Sequence, residues 1–107
     1  MMFEKLTRFE TSDQTTPGTA YYRNTYEQVK AAVYETAKAI GMEVRSHNND
    51  HKEFLLKRGN VEIIVTAFNI TIMETAIDLV VITPLLTSGK KVAEKFFNAM
   101  KKHTQPK

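Results

Sequence analysis

Residues His47 to Lys52 read HNNDHK. Two imidazoles and a carboxylate within five positions are a ligand set suited to zinc or a similar borderline ion. His47, Asp50 and His51 are therefore the candidate metal ligands. A structural zinc site needs four ligands, and no fourth is evident. Asn, Asn and Asp are also what a turn between strands selects, because they accept left-handed backbone and bond to it locally. The turn reading is favoured, and no metal or cofactor is expected.

Two other stretches bear on binding. Ser88-Gly89-Lys90-Lys91 would open a helix whose free N–H groups attract an anion. The stretch lacks the earlier glycine and following Ser or Thr of a phosphate loop, and an ordinary capped helix is favoured. Tyr21-Tyr22-Arg23 could stack on a base; the simpler expectation is one tyrosine capping the core and one exposed at an edge. Catalysis has less support. No cysteine nucleophile and no Gly-x-Ser-x-Gly elbow are present. Glu74 and Asp78 lie roughly 13 Å apart along a strand, too far to act on one bond.

The charge is unevenly spread. The net charge is +3, from 15 basic and 12 acidic residues. Six of the basic residues and one acidic residue, Glu94, fall between Ser88 and Lys107, leaving nine basic against eleven acidic elsewhere. Lys90, Lys91, Lys95, Lys101 and Lys102 thus form a candidate anion-binding set on a C-terminal helix. The acidic remainder and the absence of any nucleic-acid-binding signature argue against RNA or DNA as the main partner.

These residues need a scaffold, and 107 residues with 42% apolar and 25% charged side chains imply one soluble domain, 1–107. No apolar run is long enough to cross a bilayer. The opening MMFEKLTRFE has no apolar core, so a signal peptide is not expected. The absence of cysteine excludes disulfides, and a cytoplasmic setting is expected.

Periodicity supplies the elements. Phe3 to Phe9 reads as an edge strand and Thr11 to Ala20, broken by Pro-Gly, as a polar loop, so 1–20 is strand plus loop. Thr25-Tyr26-Glu27-Gln28 is a capping box. Tyr26, Val29, Val33, Ala37 and Ile40 then make one apolar helical stripe, stopped by a left-handed Gly41. After it the period becomes two. Gly59-Asn60 is a hairpin turn that pairs Arg58 with Val61, Lys57 with Glu62, Leu56 with Ile63, Leu55 with Ile64 and Phe54 with Val65. The core parity of Val61, Ile63, Val65 and Ala67 must meet that of Met73, Ile77, Leu79 and Val81. An odd loop or a bulge is required; a three-residue turn at Phe68-Asn69-Ile70, with Asn69 left-handed, satisfies it. By the same parity, 47–51 is a five-residue loop with His47 and His51 across its neck. Pro84 ends the last strand. Thr87 or Ser88 caps a helix whose buried stripe is Val92, Ala93, Phe96, Phe97 and Met100, and residues 104–107 form a frayed tail.

The expected class is α+β: a single antiparallel sheet of four to five strands packed on one face by two helices, in the order (β)-α-β-β-β-β-α. This order resembles the TATA-box-binding-protein-like and helix-grip (birch-allergen-like) architectures. The resemblance is one of element order across nearly the whole chain, without a shared motif. It implies either a sheet surface that grips a partner or a cavity between sheet and helix that holds an apolar ligand.

Leu55, Ile64, Phe68, Ile72, Ala76, Val80 and Ile82 fall on the face opposite the predicted core. A sheet covered on one side only should be more cleanly polar there, so an apolar remainder points to a partner. A non-enzymatic domain that forms a homodimer, sheet against sheet or edge to edge, is the first expectation. A carrier of a small apolar ligand, held by Val33, Phe54, Val65, Met73, Ile77, Phe96 and Met100, is the alternative; a compact core made of the same side chains is favoured over it. Weak nucleic-acid binding through the lysine helix is the third.

Overall fold

A computed structural model describes residues 14–106. Their elements are β1 (Gln14–Tyr22), α1 (Tyr26–Ala39), β2 (Glu43–Asn48), β3 (Glu53–Arg58), β4 (Val61–Thr71), β5 (Glu74–Thr83) and α2 (Gly89–Met100). The expected strand at Phe3–Phe9 lies outside the described residues. The strands form one antiparallel sheet ordered β1-β5-β4-β3-β2. The class is α+β, as the sequence order implies.

The capping box at Thr25 and Gln28 is complete: the Thr25 hydroxyl accepts from the Gln28 N–H at 3.2 Å, and the Gln28 side chain accepts from the Thr25 N–H at 3.0 Å. α1 buries Val29, Val33 and Ala37, and Gly41 follows with φ of 74°. Ser88 caps α2, which buries Ala93, Phe96 and Met100. Between helices and sheet lie Phe54, Leu56, Ile63, Val65, Ile77, Leu79 and Val81, all essentially inaccessible to water. The β3–β4 register is the one that the Gly59 turn dictates, from Arg58 opposite Val61 to Phe54 opposite Val65.

Four details correct the sequence reading. The polar loop over 11–20 is a strand from Gln14 onward. Pro17 fits because β1 is an edge strand, where the missing N–H can fall on the solvent side. Gly18 fits because α2 crosses there: a Cβ on it would meet Phe97 Cε2 at 2.9 Å. Second, the β4–β5 turn is Ile72-Met73, not Phe68-Asn69-Ile70. The parity is met by a bulge between Asn69 and Thr71, and Asn69 has no positive φ. Third, β2 also carries a bulge, between Val44 and Ser46, so the β2–β3 turn shrinks to residues 49–52. Lys52, with φ of 51°, takes the left-handed position there.

Fourth, the tail does not fray through Pro106. The Asn24 carbonyl Oδ1 accepts from the Gln105 N–H at 2.7 Å, Arg23 N–H donates to the Gln105 carbonyl at 2.8 Å, and Pro106 forms a bridge with Tyr22. A buried Asn24 side chain aligned on passing backbone outweighs the entropy of a free end.

Candidate functional site

Side chains of alternate parity cover the sheet face opposite the two described helices. The strand registers arrange them in rows running across the sheet. One row is apolar over four strands: Pro17, Val80, Ile64 and Leu55, ending at Ser46 on β2. The next is polar: Thr19, Asp78, Thr66 and Glu53, with the Thr19 hydroxyl donating to Asp78 Oδ1 at 3.0 Å. Beyond it Tyr21, Ala76 and Phe68 are again apolar. On the other flank stand Thr15, Ile82, Glu62, Lys57 and Glu43, where Lys57 Nζ and Glu62 Oε2 pair at 3.4 Å.

Six of the seven expected interface residues share this face. Leu55, Ile64, Val80 and Ile82 are half-buried, Phe68 is exposed and Ala76 is buried between its neighbours. Ile72 is the correction. It sits in the β4–β5 turn, 82% exposed, because the bulge at the end of β4 moves the turn outward. Sequence reading did not place Pro17, Thr19 and Tyr21 here. The signal was the alternation in QTTPGTAYY, masked by the Pro-Gly pair.

Both sheet margins discourage strand addition. β1 contains Pro17, its end is covered by the bridge from Pro106, and β2 is bulged beside Arg45. Prolines and bulges at edges oppose pairing with another strand.

The histidines are not brought together. The β2 bulge turns His47 toward α1, where it stacks on Phe54 with ring centroids 4.2 Å apart. Tyr34 Oη lies 3.2 Å from Nδ1 and Tyr26 Oη lies 3.4 Å from Nε2. Burial lowers the His47 pKa, Lys30 adds to this, and Glu27 opposes it. A neutral imidazole has one donor and one acceptor nitrogen, so one tyrosine donates to the ring and the other accepts from it. His51 and Asp50 remain exposed in the turn, and the His51 N–H donates to Asn48 Oδ1 at 3.1 Å. Among the described residues no group of three His, Asp or Glu side chains is placed to hold a metal ion. The turn reading of HNNDHK describes its last four residues; His47 belongs to an aromatic cluster that parity without the bulge could not reveal.

The proposed ligand-cavity set is a packed core. Val33, Phe54, Val65, Ile77, Phe96 and Met100 are fully buried, and the surface cavities are lined by other side chains. Met73 leaves the set altogether, 56% exposed in the β4–β5 turn. The lysines divide. Lys91, Lys95 and Lys102 line a groove between α1 and α2, whereas Lys101 borders a separate hollow with Tyr21 and Phe97. Lys90 is exposed beside neither. Tyr22 is buried, its hydroxyl pKa pushed up to about 12 by desolvation, while Tyr21 is exposed on the open sheet face.

No family model and no curated protein matches the chain. Among solved structures it is similar to a putative uncharacterized protein from Bacillus thuringiensis, at 10% identity and a TM-score of 0.49, over 82% of this chain and 94% of that one. No helix among the described residues is long and apolar enough to cross a membrane.

Proposed function

We propose that the protein is a small, non-enzymatic, cytoplasmic domain that forms a homodimer by packing one sheet against another. The observation that carries this reading is the apolar row of Pro17, Val80, Ile64 and Leu55 across the face opposite the two described helices. Two such rows meeting about a two-fold axis would seal apolar surface that a solvent-facing sheet does not need. Strand addition at the edges is the poorer route, given Pro17 and the β2 bulge.

The size of the face falls at the lower end of the standard range. Strands of 9, 6, 6, 11 and 10 residues, spaced about 4.8 Å apart with a rise of about 3.3 Å per residue, outline a face of about 650 Å². A standard interface buries about 600–1,000 Å² per partner. The TATA-box-binding-protein-like order of elements fits a sheet used as a gripping surface. That is a likeness of architecture, which does not choose a function by itself.

Sedimentation equilibrium or native mass spectrometry tests the reading. The wild type should have the mass of a dimer, and Ile64→Lys or Val80→Glu should give a folded monomer. A monomeric wild type, or variants of unchanged mass, would overturn it.

A further inference from the structure

At the end of the domain where α1 stops, Ile40, Met42, Val61 and Val92 wall a slot of about 210 Å³ whose remaining lining is Arg58 and Lys95. The slot is shared by three elements that the chain order does not make neighbours: the exit of α1, the β3–β4 hairpin and α2. Ile40 and Met42 are buried and Val61 and Val92 half-buried, so its walls are apolar. Arg58 Nη1 donates to the Ile40 carbonyl at 3.3 Å, which fixes the guanidinium at the slot's edge. One nitrogen is thereby engaged, leaving most of the five donors of the fork available. Among the described residues neither Arg58 nor Lys95 is in an ion pair.

The slot adjoins the α1–α2 groove of about 450 Å³, with which it shares Ile40 and Lys95. That groove adds Lys91 and Lys102, with Glu94 as its one carboxylate. Apolar walls under a cationic rim select for a molecule that is apolar at one end and anionic at the other. A planar guanidinium matches a carboxylate in geometry as well as charge.

We propose that this slot binds a small amphipathic carboxylate, with its alkyl tail between Ile40, Met42, Val61 and Val92 and its head on Arg58 and Lys95. The site lies on the helix side of the sheet, so it and the open face can be occupied together. It differs in place and chemistry from a ligand buried in the core.

Octanoate is a suitable probe, with octanol lacking the charge and acetate lacking the tail. In ¹⁵N and methyl NMR titrations, octanoate should shift Met42, Val61 and Val92 selectively. A hydrogen bond to a charged group contributes about 1.5 kcal/mol or more, so octanol should bind about tenfold more weakly. Acetate should also fall well below octanoate. Lys95→Gln, at an exposed position, should weaken octanoate about tenfold without affecting the fold, and Arg58→Gln should weaken it by a similar factor. The monomeric Ile64→Lys variant should bind as the wild type does, which separates this test from that of the dimer. Equal affinity for octanol and octanoate, shifts centred on the sheet face or the core, or no saturable shift would overturn the proposal.

Discussion

The His47 imidazole lies almost parallel to the Phe54 ring, centroids 4.2 Å apart and planes 16° apart. Tyr34 meets both rings edge-on, with each centroid 6.0 Å away. Such stacking joins a group that can acquire charge to the wall of the apolar core.

This joint makes stability depend on pH. Burial and Lys30 lower the His47 pKa below its ordinary 6.5 in the folded state. As pH falls, the unfolded chain therefore takes up the proton first. Stability is complete above about 6.5, declines as pH drops through that value, and levels off once folded His47 is protonated too. Urea midpoints across this window should fall on acidification, and His47→Gln should flatten that fall. Parallel curves for the two proteins would place the dependence on other groups.

Thr36 gives a stabilising substitution. Its side chain is fully buried in α1, and Oγ1 has no hydrogen-bond partner among the described residues. A buried unsatisfied hydroxyl costs about 1–3 kcal/mol, so Thr36→Val, of nearly the same shape, should raise stability by about 1 kcal/mol. For a domain of this size that is about 4–8 °C in thermal midpoint. A lower midpoint would show that the hydroxyl is satisfied in solution.

Gly18 and Phe97 should be energetically coupled. A Cβ at Gly18 would come 2.9 Å from Phe97 Cε2. Gly18→Val should therefore destabilise the protein by about 1–3 kcal/mol, as overpacking does, despite valine's preference for strands. In the Phe97→Ala background the same change should cost much less. Additive losses in a double-mutant cycle would refute direct contact.

The capping box offers a local test. Thr25→Ala removes the hydroxyl that accepts from the Gln28 N–H and should cost about 1 kcal/mol, measured by chemical denaturation. Hydrogen exchange should show the extra opening concentrated in the first turn of α1.

Much of this architecture is legible in the residues. The Thr25–Gln28 spacing and the Gly59 turn are local signals, and each fixes geometry within a few positions. The register from Arg58–Val61 to Phe54–Val65 follows from the turn alone. What escapes are features set at a distance. Gln14–Tyr22 becomes a strand because β5 offers an edge and Phe97 needs the space over Gly18. The bulges near Arg45 and Ile70 each insert one residue, so parity correctly demands a correction without saying where it falls. That ambiguity misplaced His47, Ile72 and Met73, all beyond a bulge. The apolar set on the open face survives it, because Leu55, Ile64, Ala76, Val80 and Ile82 lie where the ladder is regular.

The two blocked margins of the sheet set a valence. Pro17, with Pro106 beside its strand, and the β2 bulge deny growth along the hydrogen-bonding direction, which is the direction in which fibrils propagate. In the proposed dimer the surface that joins two copies is a single plane. One two-fold contact uses that plane up, so association through it stops at two copies, and crowding more molecules together fills the pairs without lengthening them.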